Sequence, residues 1–171
     1  MVVLEFQGSP GNLADDSTED LRTTVAGNLQ DTCFFIRVRL EVGHVELLEV
    51  PLKSQGDAPV PWLELPILNV ATVGLQRVRE AGERGTAIYT LPGSGWRVCF
   101  DISGEDVSVY SEVNGRCGRA RYAELLGAFE QFAGTVRELL SREAPALQDH
   151  PHWGKWLGEG KGHGGLEMQR T

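Results

Sequence analysis

The chain is short of cysteine, of cations and of long apolar runs, and each shortage excludes something. Cys33, Cys99 and Cys117 are an odd set of three with no Cys-x-x-Cys pair. That argues against a disulfide framework and against the common structural zinc sites. Cys33 and Cys99 lie in strand-like stretches and read as buried or half-buried thiols. No apolar stretch approaches the roughly 20 residues of a membrane helix. The start, Met-Val-Val-Leu-Glu-Phe, has no Lys or Arg ahead of its apolar run, and the acids that follow argue against a transit peptide. A cytoplasmic location is therefore the default expectation. Lys and Arg number 16 against 24 Asp and Glu, a net charge of −8. Nucleic acid ranks last among partners on that balance, because a phosphate backbone needs a basic face. There is no Gly-Lys-Ser/Thr phosphate loop and no dinucleotide fingerprint after a strand.

What is present describes an ordinary soluble domain. A chain of 171 residues suits one core, which closes without disulfides or metals. The acid is uneven: Glu5, Asp15, Asp16, Glu19, Asp20 and Asp31 face only Arg22, an excess of five negative charges in the first 31 residues. Such a surface steers encounters with a basic partner.

Periodicity supplies the elements. Residues 2–6 read as a short strand, residues 8–20 as an exposed loop, and Leu21 to Leu29 as a turn or two of helix. Phe34, Ile36, Val38, Leu40 and Val42 alternate with Phe35, Arg37, Arg39 and Glu41, the signature of a strand with one wet face. Gly43-His44 reads as a turn that opens on a glycine at positive φ, with Val45 to Leu52 as the returning arm. Residues 53–61 read as a loop. Pro66 fits the first turn of a helix whose apolar stripe is Ile67, Leu68, Ala71, Leu75 and Val78. Strands over residues 86–91, 96–102 and 106–113 are joined by short turns, which implies an antiparallel meander. Residues 114–119 read as a loop, and residues 120–142 as a long amphipathic helix stopped at Ala144-Pro145. The expected fold is α+β: an antiparallel sheet of five or six strands with two main helices packed on one face. A single domain over residues 1–157 is expected, followed by a disordered Gly-rich tail over 158–171.

Five groups of residues invite a chemical reading. His150 and His152 share a side of an extended segment, with His163 and His44 elsewhere. No carboxylate stands at a fixed spacing to complete a metal site, so packing beside Trp153 and Trp156 is the plainer reading. Arg116, Arg119 and Arg121 belong to the loop before the long helix, with glycines at 115 and 118 and Arg97 on a nearby strand. They suit a small anion, or equally a solvated turn paired with Glu112, Glu124 or the acidic N-terminal segment. Cys117 in that loop would gain thiolate character, yet no local base signature makes it a nucleophile. Asp101 with Glu105 or Asp106 is a carboxylate pair at a turn, where solvation is the usual fate. Trp96 reads as core, whereas Trp153 and Trp156 fit either a docked C-terminal segment or a partner site. No cofactor is expected.

The stretch from Trp96 to Leu140 is a WxVxFD-like strand, a turn, the strand DVSVYSEV and then the helix YAELLGAFEQFAGTVRELL. It resembles small bacterial domains of the polymorphic-toxin immunity type. The resemblance implies a non-catalytic protein that binds and blocks one toxin, and it brings no catalytic residues with it.

The sequence thus leads to a protein-binding domain, an inhibitor or immunity protein for a basic partner. Its expected contacts are Asp15, Asp16, Glu19 and Asp20, the strand face of Arg37 and Arg39, and Trp153 with Trp156. A sensor or enzyme for a small anionic ligand at Arg116, Arg119 and Arg121 is the alternative. An adaptor docking through the long helix or the C-terminal tryptophans is a third.

Overall fold

Strict alternation builds the central strand of the first sheet. In β2 (Phe35–Val42) every second side chain, Ile36, Val38, Leu40 and Val42, is buried, and the intervening ones look outward. β1 (Val2–Gln7) lies antiparallel along one edge of β2, pairing Val2 with Val42 and Gln7 with Arg37. Along the other edge lie β4 (Leu63–Pro66), opposite the first half of β2, and β3 (Val45–Glu46), opposite its end. These relations come from a computed structural model describing residues 1–8, 30, 33–50 and 61–157, the side chains of residues 156 and 157 excepted. The acidic stretch with Asp15, Asp16, Glu19 and Asp20, the helix expected over 21–29, His163 and the tail over 158–171 lie outside the described residues. So does most of the loop expected over 53–61.

The second sheet is a meander in chain order: β5 (Thr86–Thr90), β6 (Arg97–Ser103), β7 (Asp106–Ser111) and β8 (Cys117–Arg121). The fold is α+β with antiparallel pairing, but the described residues form two sheets of four strands rather than one of five or six. The reason lies in β2. Both of its edges are already bonded, one to β1 and the other to β4 and β3, so no ladder position is left for β8. β8 instead meets the end of β2 by close packing. A Cβ on Gly118 would overlap the Val42 carbonyl oxygen, and one on Gly43 would overlap that of Arg119.

Four local expectations also change. The turn Gly43-His44 has positive φ at both residues, 57° and 66°, the mirror-image type I′ hairpin, where glycine is needed at only one of the two. The returning arm is only two residues long, because Leu47 and Leu48 both turn into the core and end the alternation. Pro66 ends β4 and caps the helix that follows, and Cys117–Arg121 is a strand where a loop was expected.

The first helical stretch runs as α1 (Ile67–Asn69), a π-turn (Val70–Gly74) and α2 (Leu75–Arg84). It closes on Gly85 in the left-handed conformation. α3 (Tyr122–Glu143) is the long helix that the apolar spacing predicts. It packs on α2 and on β1. Phe129 meets Phe100 of β6 edge-on at 6.3 Å, and Phe132 meets Phe6 of β1 at 5.7 Å. A 3₁₀ turn (Pro145–Asp149) and α4 (Trp153–Leu157) follow. No helix among the described residues is long and apolar enough to cross a membrane.

Candidate functional site

The outward face of the first sheet carries a fixed set of charges. Register places Gln7, Arg37 and Glu64 in one row, Glu5 and Arg39 in the next, and Glu41 beside Glu46 in a third. Four carboxylates thus share this face with two guanidinium groups, an excess of two negative charges. Arg39 is the hub: it bonds Glu5 at 3.0 Å, Glu41 at 2.6 Å and Glu46. The cluster is half-buried, with Glu41 only 13% exposed. The Glu46 and Glu5 hydrogen bonds, in that order, hold the Arg39 guanidinium well above its ordinary pKa, against the opposing effect of burial. Glu46 Oε2 is buried and accepts no hydrogen bond among the described residues. Glu5 and Glu64 remain accessible at the margins. Arg37, also exposed, keeps its place beside Glu64. Arg37, Arg39 and Glu41 are legible in the sequence as one outward row of β2, whereas Glu5, Glu46 and Glu64 join them only through pairing with β1, β3 and β4.

The three arginines ahead of the long helix do not converge. Arg116, in the turn, makes a two-pronged bond to Glu49 at 2.9 and 3.0 Å. Arg121, which precedes the helix, is paired with Glu105. Arg119 stands between them on the outward face of β8, in one row with Ser108 and Asp101. Arg97 is bonded to Glu112 at 2.8 Å. That bond holds the Glu112 carboxyl below its ordinary range.

The outward face of the second sheet has a different character. Ile88, Cys99, Tyr110 and Cys117 form one row across all four strands. Ile88 and Tyr110 are 48% and 42% exposed, which makes the row an apolar strip open to solvent. Cys99 is half-buried and Cys117 exposed, two strands apart with Tyr110 between them, so a disulfide cannot join them. Asp101, Glu105 and Asp106 are all exposed.

The described histidines divide by exposure: His150 is buried, whereas His44 and His152 are exposed. The Nδ1 of His150 accepts the backbone N–H of His152 at 3.2 Å. His44 lies against Glu41 at 3.4 Å. Among the described residues no group of three His, Cys, Asp or Glu side chains is placed to hold a metal ion. Trp96 and Trp153 are half-buried against the core. The side chain of Trp156 lies outside the described residues.

Two grooves lie on the described surface. One of about 370 Å³ runs between β1 and α3, walled by Val2 to Phe6 on one side and by Ala128, Gln131, Phe132 and Thr135 on the other. The other, about 460 Å³, lies beside the π-turn and holds Gln30, Thr72, Arg79, His152 and Lys155. Its polar groups are largely engaged already. Gln30 donates to Thr72 Oγ1, which donates to the Leu68 carbonyl, and Arg79 pairs with Glu130.

In comparisons with family models, with curated proteins and with solved structures, the chain matches none.

Proposed function

We propose that this chain is a non-catalytic binding protein for a basic protein partner, an inhibitor or immunity protein in kind. One observation carries the reading: the acid excess on the outward face of the first sheet, with its carboxylates held in place by Arg39. Side chains fixed before contact lose little freedom on binding, so more of their attraction is available to a partner. The net charge of −8 extends that attraction over distance and speeds encounter. The anionic-ligand reading has less support, because Arg116 and Arg121 already hold carboxylates that a ligand would have to displace.

Co-purification with the products of neighbouring genes, followed by titration calorimetry, tests the proposal. A one-to-one complex with a basic protein is expected, weakened by salt and by Glu64→Lys, each by roughly tenfold. Binding indifferent to both salt and charge reversal would contradict it.

A further inference from the structure

We infer that the outer edge of β1 is a docking site for an extended segment of the partner, one that alternates apolar and basic side chains. The inference rests on the proposed function above and says where and in what conformation the basic partner binds.

The phase of hydrogen bonding comes first. In the register of β1 with β2, Met1 faces Gly43, and the Gly43 N–H donates to the Met1 carbonyl at 2.9 Å. Antiparallel ladders alternate bonded and non-bonded pairs. The odd residues Val3, Glu5 and Gln7 therefore turn their backbone groups toward β2. The even residues Val2, Leu4 and Phe6 turn theirs away from it. The far side of β2 obeys the same phase: the carbonyls of Phe34 and Leu40, both even, accept from Ile67 and Leu47 on the opposite edge. β1 thus presents three N–H and three C=O groups along an edge that no other strand pairs with among the described residues.

The groove shows that this edge is open among the described residues. Alternate side chains of a strand point to opposite faces, so a cavity on one face touches only every second residue. The groove of about 370 Å³ touches Val2, Val3, Leu4, Glu5 and Phe6 in unbroken succession, so it runs along the strand's edge. The usual protections of an edge, a lysine, a proline or a bulge, are missing from Val-Val-Leu-Glu-Phe-Gln.

Chemistry then selects the occupant. A strand added about 4.8 Å beyond β1 would place alternate side chains on the two faces of the extended sheet. Those on the inner side fall against Ala128, Phe132 and Thr135 of α3, which suits apolar groups of modest size. Those on the outer side fall beside Glu5, next to the ring around Arg39, which suits Lys or Arg. A second copy of the chain fits worse: antiparallel self-pairing centred on Leu4 adds Glu5 of one copy to the acidic face of the other.

The test is backbone hydrogen exchange on the full chain, read by NMR, with a synthetic octapeptide of alternating valine and lysine. Exchange at Val2, Leu4 and Phe6 should slow about tenfold at nine-tenths occupancy. The slowing should vanish with a peptide N-methylated along the edge that faces β1. It should weaken at Leu4 and Phe6 in Val2→Pro, which removes one of the three outward donors and leaves the β2 ladder intact, a fold check being the unchanged exchange of Val38 and Phe100. Glu5→Gln should weaken the peptide, and a valine–glutamate peptide should not bind. Lysine-peptide binding that perturbs Glu41 and Glu64 but leaves those three amides fast would overturn the docking site while sparing the basic-partner reading. No change at the three amides with millimolar peptide also overturns it. So does protection already present without peptide: independent of protein concentration it means the chain's own residues cover the edge, and rising with concentration it means a second copy does.

Discussion

At the residue scale the tightest constraints fall on Gly43 and Gly118, where the two sheets touch backbone to backbone. Either glycine changed to alanine forces a methyl group into a carbonyl oxygen that cannot move without shifting a strand. Overpacking of this kind costs about 1–3 kcal/mol, and Gly43→Ala adds the strain of a positive φ. Both variants should lower the urea midpoint, and Gly8→Ala, whose Cβ would meet nothing, should show only the backbone part of that loss. Arg39 is the second constraint. Arg39→Ala leaves three carboxylates side by side, with Glu41 and Glu46 mostly out of water. A loss of about 2 kcal/mol at neutral pH is expected, between the surface and buried limits for a broken ion pair. Urea unfolding of the variant beside wild type would measure it. Tyr122 is the third. Burial is the main cause raising its pKa above the ordinary value for tyrosine. The folded state therefore holds that proton more tightly than the unfolded chain. Its contribution is complete below about pH 10 and is lost as pH rises through the folded value. Tyr122→Phe should flatten the alkaline limb of the stability profile relative to wild type.

At the scale of elements, helical glycines divide by what they face. A Cβ at Gly82 would strike the Tyr122 ring, whose hydroxyl donates to the Val78 carbonyl at 3.3 Å. Gly127 and Gly134, on α3, have open space beside them. Alanine is favoured over glycine in a helix by about 1 kcal/mol, so Gly127→Ala and Gly134→Ala should raise the melting temperature. Gly82→Ala should lower it, because Tyr122 must swing away from α2. Sequence alone could not assign these opposite signs, since all three glycines occupy similar positions in amphipathic patterns. The elements themselves were largely legible. The alternation around Phe34–Val42, the meander from Thr86 to Ser111 and the helix of Tyr122–Glu143 stand where periodicity and turn chemistry put them. What escaped was set by tertiary contact. β8 reads as a loop because Cys-Gly-Arg-Ala-Arg has two small residues on its inner side, and at Gly118 the Val42 backbone leaves no room for a side chain. The π-turn left no trace in the apolar spacing.

For the whole molecule, the division into two sheets was invisible in the sequence, because it depends on β1 and β4, both remote in the chain, occupying the two edges of β2. The candidate site was half legible for the same reason. Arg37 and Arg39 mark the outward face of one strand, but Glu5 and Glu64 reach that face only through pairing with β1 and β4. The arginines at 116, 119 and 121 show the converse: close in sequence, they are engaged separately, Arg116 by Glu49 and Arg121 by Glu105. A surface built this way, acidic on one sheet face and open along one strand, is what a basic extended segment can recognise. The most direct test is the affinity of the co-purified partner for wild type, Glu5→Gln and Glu64→Lys, measured by calorimetry at low and at moderate salt. A drop of roughly tenfold for the charge reversal, a smaller one for Glu5→Gln, and a flatter salt dependence in both variants are predicted. Equal affinities and an unchanged salt dependence would contradict the assignment of this face as the binding surface.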